Sequence, residues 1–180
     1  VNPNTSLRDE IPRAATKRAL AITASGNDYT PIGRIVDERT VVNGVVGLLA
    51  TGGSTNHTIH LIAMAAAAGI HLTWDDMAEL SAAVPLLTRI YPNGKADVNH
   101  FHAAGGMGLL IRELLGAGLL HRDVKTVWGT GLDGYLVEPR LEEGGLAWTD
   151  AAAASGDKAI LRGCDEPFDR TGGIALLDGD

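Results

Sequence analysis

Two short segments carry residue types that chemistry on an anion would use. The first is Ala50-Thr51-Gly52-Gly53-Ser54-Thr55-Asn56-His57. Two glycines, having no Cβ, let a backbone approach a ligand closely. Hydroxyls and an amide follow at once, and an apolar helical pattern starts behind them. A helix start offers unpaired N–H groups and the positive end of its dipole, which together suit an anion. The same residues also describe a plain loop whose Ser54 or Thr55 caps a helix. No Lys stands where a phosphate-binding Walker loop needs one. The second segment, Asn99-His100-Phe101-His102-Ala103-Ala104-Gly105-Gly106, is built alike, with polar side chains, a helix start and a glycine pair. The two segments are expected to converge on one polar pocket, with capping and packing as the alternative.

The six histidines are 57, 60, 71, 100, 102 and 121. His57 and His60 are spaced to share a helix face, and His100 and His102 flank Phe101. Together they would suit zinc, although no His-Glu-x-x-His pattern joins them, and pocket or core histidines are the simpler account. Asp75, Asp76 and Glu79 read as the solvated, negatively charged start of a helix. Asp37-Glu38-Arg39 and Glu142-Glu143 read as solvated too. Trp74, Trp128 and Trp148 read as packing residues. Cys164 is the one cysteine, which excludes an intrachain disulfide, an all-cysteine zinc site and a complete Fe–S site from this chain alone.

The elements that must position these residues follow from caps, breaks and periodicity. A first helix is expected over Leu7 to Ala24 with Ser6 as its cap, Pro12 being awkward inside it. A second fits Glu38 or Val41 to Ala50. A third runs from Ser54 to Ala68, ended by Gly69; its far half is apolar all round, so it should be buried. Ile70-His71-Leu72 reads as a short buried strand. Thr73-Trp74-Asp75-Asp76 is a capping box opening a helix to Ala83. Pro85 to Ile90 reads as a strand and Tyr91-Pro92-Asn93-Gly94 as a turn. One helix is then expected from about Asn99 to Leu115, closed by Gly116-Ala117-Gly118. Beyond His121, repeated glycines suggest loops and short strands. After a soft boundary near residue 150, Lys158 to Arg162 and Ile174 to Leu177 read as strands. Alternating helices and short strands favour a layered α/β architecture.

The chain has 180 residues, 45% hydrophobic and 21% charged, with 15 Lys plus Arg against 22 Asp plus Glu, a net charge of −7. That is enough chain for one domain and its core. The acidic balance argues against a nucleic-acid or anionic-membrane partner. The longest apolar run, Ile59 to Ile70, is about 12 residues, short of the ~20 that a membrane helix needs. Val1 to Ser6 is polar, with no signal-peptide core. The cytoplasm is the expected compartment, and the non-Met start suggests an internal segment of a longer protein.

A family resemblance rests on Pro31-Ile32-Gly33, Val41-Val42-Asn43-Gly44, Ala50 to His57, and Leu87 to Gly106. Arg112-Glu113-Leu114-Leu115 with Gly118-Leu119-Leu120 also fits, as does Pro167-Phe168 followed by Thr171-Gly172-Gly173. Over Leu7 to Gly179 the chain resembles the dihydroxy-acid and 6-phosphogluconate dehydratase family. Tyr91 to Phe101 looks like the 6-phosphogluconate branch, since the dihydroxy-acid branch has a Ser-Gly-Lys-Tyr-type segment there. The resemblance implies an α/β fold of layered helices on a short-stranded sheet. Residues 1–150 would be the later part of the N-terminal domain, and residues 151–180 the linker and first strands of a β-rich C-terminal domain. It implies a hydro-lyase that removes water from 6-phospho-D-gluconate, with an Fe–S cluster, 4Fe–4S as the expected form, acting as Lewis acid on the leaving hydroxyl. A divalent metal such as Mg is also implied, as is a homodimer of the full-length enzyme.

The resemblance implies that the family's cluster cysteines, its catalytic serine and several of its divalent-metal ligands lie outside this segment, and Cys164 matches no cluster-cysteine motif. Only substrate-pocket positions carry over: Thr51, Gly52, Gly53, Ser54, Thr55, Asn56, His57, Asn99, His100 and His102. The Ser54 helix start and the Asn99–His102 side chains are the expected holders of the phosphate. The alternatives are a dehydratase for another sugar acid, a non-catalytic anion-binding segment, and a zinc hydrolase using His57, His60, His100 and His102.

Overall fold

The computed structural model describes residues 4–177. Among the described residues six α-helices are formed: α1 Ser6–Ala21, α2 Glu38–Thr51, α3 Thr55–Ala67, α4 Trp74–Ala83, α5 Val98–Ala103 and α6 Gly106–Gly116. They are followed by a hairpin, β1 Val137–Glu142 and β2 Gly145–Asp150. The hairpin is antiparallel, with Val137 opposite Asp150 and Glu142 opposite Gly145, and α1 lies against it. The chain is thus helix-rich with a small two-stranded sheet.

The core is built around α2. Asp37 caps it: its carboxylate accepts from Thr40 N at 2.9 Å, and Thr40 Oγ1 accepts from Asp37 N at 2.9 Å. This reciprocal box starts the helix before its β-branched residues, whose lower helix propensity makes Val41 a rival start in the sequence. Val45, Val46, Leu48, Leu49 and Ala50 are buried to within 2% exposure and face Leu87, Leu110, Leu114 and Leu161 in one cluster. Asn43 clasps the loop after α6 from the same helix, donating to His121 O at 3.0 Å and accepting from His121 N at 2.8 Å.

The extended segment 84–90 runs beside the end of α2. Leu87 N donates to Ala50 O at 2.8 Å, and Thr88 Oγ1 donates to Thr51 O at 2.9 Å. The chain's last third returns to the segment from both sides. Leu86 N donates to Asp169 O and Arg89 N to Ile160 O, while Arg162 N donates to Leu87 O. These are isolated bridges rather than a continuous ladder: Leu86 faces Asp169, Thr88 faces Leu161, and Ile90 faces Ala96.

Several expectations are corrected. Thr5, not Ser6, caps α1, its side chain accepting from Arg8 N, and Pro12 sits inside an unbroken helix. Ile70-His71-Leu72 is irregular, with His71 exposed, because among the described residues no strand pairs with it. α3 is not buried all round: Thr58, Leu61 and Ala65 are buried, but Ile59 is 59% and Met64 53% exposed. Periodicity reports how apolar a helix is, not which neighbours cover it. The single helix expected over Asn99 to Leu115 is two, because Gly105 and Gly106 take positive φ, 133° and 60°, and break the bond pattern. Lys158 to Arg162 supplies one bridge residue, Leu161, and Ile174 to Leu177 forms no strand. The capping box at Thr73 and Asp76 opens α4 as expected.

Candidate functional site

The first chemistry-bearing segment sits where α2 ends and α3 begins. Thr51 spends its hydroxyl on its own helix, donating to Gly47 O at 2.8 Å. Gly52 closes α2 in the left-handed conformation, φ 60° and ψ 40°, where a side chain would be strained. Ser54 caps α3, its Oγ accepting from His57 N at 3.4 Å. Thr55, Asn56 and His57 form the exposed first turn of α3; His57 N is taken by Ser54, which leaves the Thr55 and Asn56 N–H groups at the helix start.

This turn forms one wall of an open cleft of about 660 Å³. Gly52, Gly53, Ser54 and Thr55 face Tyr91, Pro92 and Asn93 across it, with Gly173 to Ala175 closing one side. The 91–94 turn is held by Gly94 N donating to Ile90 O at 2.7 Å and by Asn93 Nδ2 donating to Thr88 O at 3.2 Å; the Tyr91–Pro92 bond is cis. Gly173 N donates to Leu49 O at 3.2 Å, which seats the returning tail against the end of α2. An acceptor or anion in this cleft would meet backbone donors and hydroxyls on one wall and an amide and a phenol on the other.

Local sequence marks Tyr91 to Asn93 as a turn alone and gives Gly173 no role at this site. The Asn-Gly pair signals the turn. Nothing local signals its meeting with residues 52 and 173.

The second segment stands apart from that cleft. Asp97 caps α5, its carboxylate accepting from Asn99 N at 2.8 Å and His100 N at 3.1 Å. His100 Nδ1 lies 2.8 Å from the same carboxylate. The His100 amide, above all, and its ring hold the Asp97 carboxyl below the usual range. Asn99, His100 and His102 are exposed, and none lines the cleft of Gly52 and Tyr91. His102 instead borders a second cleft with Met107, Trp128, Tyr135 and Trp148; the two Trp rings lie 5.5 Å apart, tilted by 59°. The expected convergence of the two segments on one pocket is therefore not what the fold makes.

His57 and His60 are exposed on α3. Among the described residues no three His, Cys, Asp or Glu side chains come together to hold a metal ion, so the zinc alternative has no ligand set there. Cys164 is partly buried behind Glu113, whose Oε2 accepts from Cys164 N at 3.1 Å. Burial first, then the Glu113 and Asp165 charges, push its thiol pKa up to about 11. A lone thiol of that kind does not fit an Fe–S cluster, which takes several thiolates. Among the described residues no helix is long and apolar enough to cross a membrane.

The comparisons with known proteins agree with the motifs. The model of the dihydroxy-acid/6-phosphogluconate dehydratase N-terminal family matches residues 1–135. The whole chain aligns with the phosphogluconate dehydratase of Rhizobium meliloti (strain 1021) at 61% identity and with that of Escherichia coli (strain K12) at 53%. It aligns over 81% of its length, at 37% identity, with the chloroplastic dihydroxy-acid dehydratase of Arabidopsis thaliana. The chain spans about 30% of the length of the two phosphogluconate dehydratases and 22% of the Arabidopsis protein. The helix-start motif, the 91–101 segment and the Thr171-Gly172-Gly173 tail all fall inside the length aligned with the phosphogluconate dehydratases, and the chain belongs to the dihydroxy-acid/6-phosphogluconate dehydratase family.

Proposed function

We propose that this chain is part of a hydro-lyase that converts 6-phospho-D-gluconate to 2-keto-3-deoxy-6-phosphogluconate in the Entner–Doudoroff pathway. The observation that carries the reading is the difference in likeness. Identity to phosphogluconate dehydratases runs from 43% to 61% over the entire chain, against 37% over 81% of it for a dihydroxy-acid dehydratase. In the reaction the C2 proton and the C3 hydroxyl leave as water, and the resulting enol becomes the 2-keto acid. The Fe–S cluster of such an enzyme supplies a Lewis acid for the hydroxyl. This chain's donor set does not fit a cluster, so its ligands, and those of any Mg, are assigned to residues outside the chain.

The part given to this chain is recognition. The cleft between Gly52–Thr55 and Tyr91–Asn93 receives the sugar acid, with Thr51, Asn56 and His57 framing the helix start. Asn99, His100 and His102 present polar groups on the separate, exposed surface of α5. Residues 1–150 are assigned to the later part of the N-terminal α/β domain, and residues 151–180 to the link towards a β-rich C-terminal domain. The complete enzyme is taken as a cytoplasmic homodimer. The direct test is the purified full-length protein, iron-loaded, given 6-phosphogluconate and a 2,3-dihydroxy branched-chain acid in parallel. The reading expects 2-keto acid from the first and little from the second; the reverse preference would overturn it.

A further inference from the structure

Arg89, Arg162 and Phe168 lie outside the cleft and have no role in the proposed recognition site. The returning tail brings them together. Arg89 N donates to Ile160 O, Arg162 N to Leu87 O and Phe168 N to Leu86 O, each at 2.9 Å. Thr88 stands opposite Leu161 and Leu86 opposite Asp169. Alternation along extended backbone then places Leu87, Arg89, Arg162 and Phe168 on one face. The guanidinium carbons of Arg89 and Arg162 lie 5.2 and 4.3 Å from the centroid of the same Phe168 ring.

Each cation–ring contact is favourable by itself, but two like charges drawn to one ring repel each other. Among the described residues neither arginine forms an ion pair. Asp169 is a carboxylate on which the Arg89 charge acts. Its carboxyl is held low chiefly by the Thr171 amide and hydroxyl, with Arg89 the last contributor. Arg162 Nε donates to Lys158 O at 3.0 Å, which leaves its terminal nitrogens uncommitted. A chain with net charge −7 thus gathers two unpaired guanidiniums on one rigid ring.

We propose that Arg89 and Arg162 form a phosphomonoester clamp, oriented by Phe168, that holds the phosphate end of the substrate. The clamp rests on the dehydratase reading for its ligand. Guanidinium forks match phosphate oxygens two at a time, which an ammonium cannot do. Arg89 stands two residues before Tyr91, a cleft-lining residue, and two residues of chain span at most about 7 Å. The sugar acid therefore runs from the helix start at Ser54, which meets its carboxylate, towards the arginines. The expected phosphate role of His100 gives way, because its ring already faces the Asp97 carboxylate, a poor neighbour for a dianion.

The test uses the full-length protein with Arg89→Gln, Arg162→Gln and Arg162→Lys. Inorganic phosphate affinity is measured by calorimetric titration, and KM is measured for 6-phosphogluconate and for gluconate. Each Gln variant should weaken phosphate and raise KM for 6-phosphogluconate by about tenfold or more, with gluconate unchanged. Arg162→Lys, which keeps the charge and loses the fork, should fall between. Phosphate should also shield Arg89 and Arg162 of the wild-type protein from phenylglyoxal, which tests the clamp without any variant. Unchanged phosphate affinity, equal losses for both acids or absent shielding would each overturn it. A protein that binds phosphate through these arginines yet makes no 2-keto acid would sustain the clamp and sink the dehydratase reading instead.

Discussion

At Gly52 the backbone ends α2 and turns towards α3 in a left-handed conformation. A Cβ there would run into Asn93 Nδ2 and reach Leu86 Cδ1 at 3.0 Å, and a Cβ on Gly173 would come within 2.5 Å of Gly52 Cα. Gly47, one turn earlier in α2, has nothing within 4 Å of its would-be Cβ. Gly52→Ala should therefore cost about 1–2 kcal/mol for the left-handed backbone, plus the displacement of Asn93 from Thr88. Gly47→Ala should stabilise the protein by about 0.5–1 kcal/mol. Thermal unfolding of the two variants of the full-length protein reads the contrast; equal effects would mean that the close approach carries no weight. The glycine pair is legible in the sequence as a place for close backbone approach. That Asn93 and Gly173 are what approaches is not, because both are brought there by chain far from residue 52.

Helix starts are the most legible elements, because a cap is decided within four residues. Asp37 with Thr40, Thr73 with Asp76, and Asp97 with His100 each close a reciprocal box, and the box at Thr73 is visible directly in its spacing. The break inside 99–115 is hidden in the sequence because apolar periodicity runs through Gly105 and Gly106 without interruption; only their positive φ separates α5 from α6. The Asp37 cap also makes a pH prediction. The Thr40 amide first, and then Arg39, hold its carboxyl below the ordinary value of 3.8. A depressed folded-state pKa stabilises fully above the unfolded pKa and is lost as pH falls through the lowered folded value. Acid should therefore loosen the start of α2 below about pH 4. Asp37→Asn, which still caps but cannot titrate, should flatten that part of the stability–pH curve. A curve with an unchanged acid slope would assign the loss to other carboxylates.

On the scale of the molecule, the last third of the chain belongs to the core of the first two thirds. Leu161 is fully buried, opposite the fully buried Thr88, and it joins α2 and α6 in the main cluster. Leu161→Ala should cost about 2–5 kcal/mol, the range for a large-to-small change in a packed core. Because the same tail carries Arg162 and Phe168, it should also loosen the arginine pair. Equilibrium denaturation of the full-length variant measures the first effect. A loss below about 1 kcal/mol, well under that core range, would mean that the tail is not part of the cooperative core. The exposed apolar faces belong to this scale too: Ile59, Met64, Trp74 and Leu177 are each more than 45% exposed on a chain that covers about 30% of its phosphogluconate dehydratase relatives.

What the sequence determined by itself was whatever is settled by near neighbours or by residue identity. The caps at Ser54 and Thr73, most helix spans, the anion-suited helix start at Ser54, the insufficiency of one cysteine for a cluster, and the family motifs all depend on residue identity or on residues adjacent in the chain. What only the tertiary structure decided was every meeting of distant segments. Tyr91 to Asn93 face Gly52 to Thr55, while Asn99 to His102 stand apart from them; the tail bonds to residues 86–90 in single bridges rather than strands; and two arginines 73 positions apart share one phenylalanine ring. The physical reason is that propensity and capping act over a few residues, whereas the packing that selects these contacts depends on which apolar surfaces can be buried together.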